Sequence, residues 1–187
     1  MCVTEVGLVE RYGESDPHGR FMLIYKNYEV FLKMIESYET GLFNRICNER
    51  EYNLRSKNMD ELGIRIRTNR ISDLTAGKAI EDLLVREVIE EASDSENILK
   101  DTDDPEKHKR DILTLCMMRR EYEVFEKGLK ALPGKEYSIT YRYIHRDKKL
   151  QEIAEEEDKA YQTIKNMVAA TRKSLEQRVI PFFRESI

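Results

Sequence analysis

Apolar positions along this chain recur mostly at helical spacing. Phe21, Ile24, Tyr28, Phe31, Ile35, Tyr38 and Leu42 follow one another at steps of three and four residues, which lines them along one stripe of a helix. A stripe of that length has to be covered, either by the rest of the chain as a core or by a second copy as a coiled-coil seam. A second helix is expected from Ser72-Asp73, whose side chains are good N-caps, through Ile80, Leu83, Leu84 and Val88 to about Leu99. The run Asp101-Thr102-Asp103-Asp104 reads as a solvated linker. A third helix opens with Pro105 at its first position, carries Ile112, Leu115, Tyr122, Phe125, Leu129 and Leu132 on one side, and stops at Leu132-Pro133-Gly134. Residues 1–19 read as a weakly apolar tail closed by the turn-rich stretch Gly13 to Gly19. Residues 45–70 read as irregular and basic, and the alternation Gly63-Ile64-Arg65-Ile66-Arg67-Thr68 predicts a short strand or an extended arm.

Past Gly134 the elements shorten. One helix runs through Tyr137, Tyr141 and Ile144, a second through Leu150, Ile153 and Ala154, and a third through Ile164, Met167, Val168, Thr171 and Leu175. Glu157-Asp158-Lys159 between the last two is the length of turn that a helix-turn-helix needs, and the small Ala154 allows two helices to cross closely. With the stripe of the third helix facing inward, Tyr161, Gln162, Lys165, Asn166, Ala169 and Arg172 turn outward. That set suits duplex DNA: Gln and Asn pair with adenine edges, Lys and Arg with guanine or phosphate.

Composition narrows the fold class. Of 187 residues only 8 are Gly and 4 Pro, Trp is absent, and 36% are charged, which argues against sandwiches, barrels and Gly-rich nucleotide folds and for long solvated helix faces. An all-α protein is expected: an N-terminal tail over 1–19, a helical body over 20–132 and a helix-turn-helix module over 135–187. The net charge of −4 is unevenly spread. Residues 1–70 carry 11 basic and 11 acidic side chains, residues 71–134 carry 10 and 16, and residues 135–187 carry 11 and 9. The last helix and its flanks hold Lys159, Lys165, Arg172, Lys173, Arg178 and Arg184 against Glu176 alone. Binding to DNA further requires that the run Glu155-Glu156-Glu157-Asp158 face away from the phosphates.

Two stretches carry a family resemblance. The pattern Tyr141-Arg142-Tyr143, then Leu150-Gln151-Glu152-Ile153-Ala154, then Gln162-Thr163-Ile164-Lys165 resembles the region-4-like helix-turn-helix of sigma factors. Ile71-Ser72-Asp73-Leu74-Thr75-Ala76, followed by Lys78-Ala79-Ile80, resembles the stretch that precedes the central helix in phage transcriptional regulators of the ArpU and RinA kind. The order of parts over roughly residues 20–180 is similar as well. In the turn, Glu157-Asp158 stands where the family has Leu-Gly, and Ala160 where it has a small polar cap; Asp158 is a second candidate cap for the last helix. The resemblance implies a sequence-specific DNA-binding regulator of phage or prophage type that activates late genes. Tyr161, Gln162, Lys165 and Asn166 would enter the major groove, and Arg172, Lys173 and Arg146 would hold phosphates. Arg65, Arg67 and Arg70 would form a phosphate-contacting or minor-groove arm, or a solvated loop. Duplex DNA, host RNA polymerase and a second copy of the chain are the expected partners.

No catalytic chemistry is legible. His145-Arg146-Asp147 spells the kinase tripeptide without a Gly-rich loop or the downstream Asn, and no Walker motif or nucleophile elbow occurs. His18, His108 and His145 are too scattered for a metal pair, and Asp101 to Asp104 lacks the Gly and terminal Glu of a calcium loop. Cys2, Cys47 and Cys116 form no CxxC pair. The expectation is no enzyme, no metal, no cofactor and no membrane span, in the cytoplasm of a bacterial host. The rival readings are a small terminase subunit recognising packaging DNA, a small sigma factor, and a phage protein-interaction module that inhibits host machinery. The tyrosine group Tyr137, Tyr141 and Tyr143 is expected to pack in a core, with stacking on bases as the alternative.

Overall fold

The computed structural model describes residues 5–60, 74–92 and 96–183. The fold is all-α. In chain order the helices are α1 (Glu5–Glu14), α2 (Pro17–Asn27), α3 (Phe31–Asp60), α4 (Leu74–Glu91), α5 (Glu96–Leu99), α6 (Pro105–Lys130), α7 (Gly134–Ile144), α8 (Leu150–Glu156) and α9 (Tyr161–Val179), followed by a 3-10 turn over Ile180–Phe182. No strand occurs among the described residues. The predicted arm with Arg65, Arg67 and Arg70 lies outside them.

Every member of the long stripe is buried: Phe21, Ile24, Phe31 and Ile35 are sealed, and Tyr28, Tyr38 and Leu42 are at most 7% exposed. The intramolecular alternative therefore prevails over the coiled-coil seam. The stripe is shared between two helices, because the chain leaves α2 after Asn27 and re-enters a helix at Phe31 without losing phase. Asp16 caps α2 by accepting from the Gly19 N–H at 2.7 Å, with Pro17 at the first position, so the expected turn is a helix start. Two expectations are corrected nearby. Residues 5–14 are helical rather than a tail, with Leu8, Val9 and Tyr12 buried. Residues 45–60 are helical rather than irregular, since Ile46 is buried and Arg50 and Arg55 find acids, Glu81 on α4 and Glu51 on the same helix.

The chain divides into two units, one made of residues 1–35 with 117–187, the other of 36–116. Residues on either side of Pro133-Gly134 thus share a unit, and Pro133 is the N-cap of α7 rather than a divider. In the first unit, aromatic rings mesh around Phe125: Phe21 lies 5.5 Å from it and Tyr28 5.7 Å, while Phe31 stacks on Tyr122 at 5.7 Å. An ion pair sits inside this core. Arg20 Nε is 2.9 Å from Glu121 Oε2, which also accepts from Tyr12 Oη at 2.7 Å, and a second Arg20 nitrogen donates to the Ser15 carbonyl. Gly128 of α6 faces α9, where a Cβ would come within 3.2 Å of Leu175 Cδ1, so this glycine lets α9 sit close.

In the second unit, α4 buries Val85, Val88 and Ile89 with Leu42, Ile46, Leu99, Ile112 and Leu115. Ile80, Leu83 and Leu84, apolar positions along this helix, are 60%, 66% and 45% exposed. Helix α4 also ends at Glu91 rather than near Leu99. It carries two apolar stripes, and its inward face is chosen by pairs with α3: Arg50 with Glu81, Lys78 with Glu51 at 3.2 Å, and Cys47 Sγ with Asp82 at 3.7 Å. The acidic linker is tied down rather than simply solvated. Thr102 is buried, Asn53 donates to the Asp101 carbonyl and to Asp103, and Glu49 accepts from the Asp103 N–H and faces His108 Nε2 at 2.7 Å. Asp104 then caps α6 by accepting from the Lys107 N–H at 3.0 Å.

Candidate nucleic-acid interface

The three C-terminal helices appear where their periodicity places them. Ile139 of α7, Ile153 and Ala154 of α8, and Ile164 and Val168 of α9 form one cluster, with Leu150 and Met167 packed against it. Ala154 is 2% exposed, so a larger side chain there would force α8 and α9 apart. The first turn of α8 is closed by Glu152, whose carboxylate accepts from the Lys149 N–H at 2.9 Å.

The turn between α8 and α9 is a Schellman-type helix end. The Lys159 N–H donates to the Ala154 carbonyl at 3.0 Å and the Asp158 N–H to Glu155 at 3.3 Å. Asp158 takes the left-handed conformation, φ 49°, where the resembled family has Gly. It closes α8 rather than capping α9: the N-cap of α9 is Ala160, with no side-chain bond. A matching corner ends α7, with Arg146 at φ 58° and the Asp147 N–H donating to the Arg142 carbonyl at 3.1 Å. His145 stacks on Tyr141 at 5.1 Å and contacts Asp147 at 2.9 Å, so the tripeptide His145-Arg146-Asp147 builds this corner.

Tyr161, Gln162, Lys165, Asn166 and Lys173 all lie exposed on α9. Gln162 Nε2 donates to Asn166 Oδ1 at 2.9 Å, one turn along the same face. The small Ala169 and Ala170 are exposed there too and leave the helix backbone approachable. Arg172 departs from expectation. Eleven residues after Tyr161, three helical turns return it to the flank of the inward stripe, and it is half-buried. Its Nε is buried without a hydrogen-bond partner among the described residues, and its charge reaches the buried Tyr25 of α2. Arg146 is exposed, and one of its terminal nitrogens donates to the Lys26 carbonyl at 3.2 Å, joining the α7 corner to the end of α2. Tyr137 and Tyr141 pack against each other at 5.6 Å, whereas Tyr143 is 37% exposed.

The acidic run is engaged within the module. Arg142 donates to Glu156 at 2.9 Å and to Glu157 at 2.5 Å, Lys148 pairs with Glu156, and Gln151 bonds Glu155 at 3.1 Å. The hydrogen bond from Lys148 holds the Glu156 carboxyl below its ordinary range. Sequence reasoning misses these partners because Arg142 lies 14 residues from Glu156 and only the α7–α8 packing joins them. The basic residues Arg142 and Lys148 flanking an acidic helix end were the available signal.

No cluster of His, Cys, Asp or Glu with metal-holding geometry occurs among the described residues, and no described helix is long and apolar enough to cross a membrane. No family model, curated protein or solved structure matches the chain.

Proposed function

We propose that this protein is a sequence-specific, double-stranded DNA-binding transcriptional regulator of phage or prophage type, acting on late genes and contacting host RNA polymerase. The observation that carries the reading is the trihelical end of the chain. A short helix packs on a longer one across a four-residue turn, and the longer one presents Gln162, Lys165, Asn166 and Lys173 outward from a sealed stripe. Pairing of Glu156 and Glu157 with Arg142 and Lys148 supports it further, since two charges of the acidic run are answered inside the module. The phage assignment and the late-gene role rest on the resemblance to ArpU- and RinA-like regulators.

Gel-shift titration against phage-derived promoter fragments over a range of salt tests the reading. Affinity falls steeply with salt, and Lys165→Ala and Lys173→Ala each reduce the slope by about one. No binding to any fragment at low salt refutes it.

A further inference from the structure

Two buried donors face the seam between α2 and α9. Tyr25 is 7% exposed, and its hydroxyl is buried without a hydrogen-bond partner among the described residues, as is Arg172 Nε. Burial raises the Tyr25 phenol, Tyr143 of α7 adds to the rise and Arg172 opposes it, so the three polar ends lie within charge range of one another. Arg172 makes no hydrogen bond and no ion pair among the described residues, and its terminal nitrogens stay open to water. Glu176, one turn along α9 and its natural partner, is taken by His18 of α2. Arg20, Arg50 and Arg142, likewise drawn below the surface, each hold a glutamate. A partly desolvated cation without a counter-charge is unfavourable within the single chain. The rim of the seam is cationic too. Arg146 sits at φ 58°, a conformation that costs a side chain more than glycine, and donates to the Lys26 carbonyl at 3.2 Å, which sets it at the end of α2 beside Tyr25. Lys26 and Arg146 are both exposed.

We propose that this seam of α2, α7 and α9 is a phosphate-binding site. The planar fork of Arg172 takes two oxygens of the anion side by side, the hydroxyls of Tyr25 and Tyr143 donate from the inner and the outer side, and Lys26 and Arg146 supply the rim charge. Tyr143 is exposed, so its ring turns aside as the anion enters. A tetrahedral oxyanion offers separate oxygens to the guanidinium and to the phenols, which a halide cannot, so the site selects phosphate over chloride. One bound anion thus gives the Arg172 charge its counter-charge and the Tyr25 hydroxyl its acceptor. The phosphate group belongs either to the backbone of bound DNA or to free inorganic phosphate, and the experiment below separates these sources. The site itself does not depend on the DNA reading.

Thermal melts of the full chain in inorganic phosphate against chloride, at equal ionic strength and pH, test it. Phosphate raises the wild-type melting temperature in a saturating way, as a bound ligand does. Arg172→Gln melts no lower than the wild type in chloride, because it removes an unanswered cation, and it loses the phosphate shift. Tyr25→Phe keeps the fold, since the deleted hydroxyl has no partner there, and weakens phosphate binding by roughly fivefold. Lys109→Gln, exposed on α6, keeps the full shift and controls for general charge. Gel shifts at fixed ionic strength then identify the source. Phosphate that competes with DNA for the wild type but not for Arg172→Gln assigns the site to a backbone phosphate. DNA binding that is indifferent to both phosphate and Arg172→Gln, or absent altogether, assigns it to the free anion, and absence refutes only the DNA reading. A wild type that gains no stability from phosphate over chloride, or an equal gain in Arg172→Gln, overturns the proposal.

Discussion

Arg142 Nη2 donates to Glu157 Oε1 at 2.5 Å, tying the end of α7 to the end of α8. The same guanidinium reaches Glu156, so one cation answers two carboxylates that would otherwise stand beside the proposed DNA-reading helix. Removing it should weaken DNA binding without Arg142 touching DNA. Arg142→Gln is expected to lower affinity by roughly threefold to fivefold at low salt, the size of one partly exposed charge interaction. Adding Glu157→Gln should restore most of the loss. If the double variant binds no better than the single, Arg142 acts on phosphate directly, and neutralisation is the wrong account.

A second consequence concerns the body of the protein. The Arg20–Glu121 pair is sealed, with side-chain exposures of 0% and 4%, and Glu121 also holds the Tyr12 hydroxyl. Breaking one half of a buried pair leaves an uncompensated charge, so Glu121→Ala should cost about 3–5 kcal/mol. Tyr12→Phe, which removes one hydrogen bond to the same carboxylate, should cost about 1 kcal/mol. Urea denaturation monitored by circular dichroism measures both. Equal, small losses for the two variants would mean that water reaches Arg20.

Which features the sequence disclosed follows from where the decisive contacts lie. The stripe from Phe21 to Leu42 is legible because every member is buried, so its period survives the break between α2 and α3. The C-terminal trihelix is legible for the same reason: Ile153, Ala154, Ile164 and Val168 are local in sequence and in space. Helix α4 misleads because it has two apolar stripes, and periodicity cannot rank them. Only its pairs with α3, through Glu81, Lys78 and Asp82, select the inner one. Helix α1 is hidden by its brevity, since Leu8, Val9 and Tyr12 make barely one turn of pattern. At the candidate site, the exposure of Gln162, Lys165 and Asn166 was readable from spacing. The flank position of Arg172 and the pairing of Glu156 and Glu157 were not, because each depends on a neighbouring helix.

Burial also sets the alkaline limit of the fold. Desolvation pushes the phenols of Tyr12, Tyr25 and Tyr28 above the ordinary value of 10.0, with Glu121, Tyr143 and Tyr122 respectively adding to the rise. A phenol whose folded pKa exceeds its unfolded one contributes its full stability below the unfolded value and loses it as pH climbs toward the folded one. Stability should therefore hold to about pH 10 and then fall by about 1.4 kcal/mol per pH unit for each such tyrosine. Thermal melts between neutral pH and strongly alkaline buffer, followed with tyrosinate absorbance, check this. The buried tyrosines should ionise only with unfolding, in one cooperative step; gradual ionisation of all ten in the folded protein would contradict the burial.

The pairing of Gln162 with Asn166 bears on specificity. Both amides suit an adenine edge, and their mutual hydrogen bond at 2.9 Å uses one donor of Gln162 and the carbonyl of Asn166 while leaving the remaining donors and the Gln162 carbonyl available. One amide then orients the other before any base is met, which lowers the ordering cost of recognition. Asn166→Ala should remove a base contact and release Gln162, so discrimination should relax at two neighbouring positions of the target, by about 1–3 kcal/mol at the first. Lys173→Ala, a phosphate contact in the same reading, should weaken every target alike. Binding measured across a set of singly substituted sites separates the two patterns. If Asn166→Ala lowers affinity uniformly and leaves the ranking of sites untouched, this pair of amides does not read bases, and sequence selection must come from elsewhere on α9.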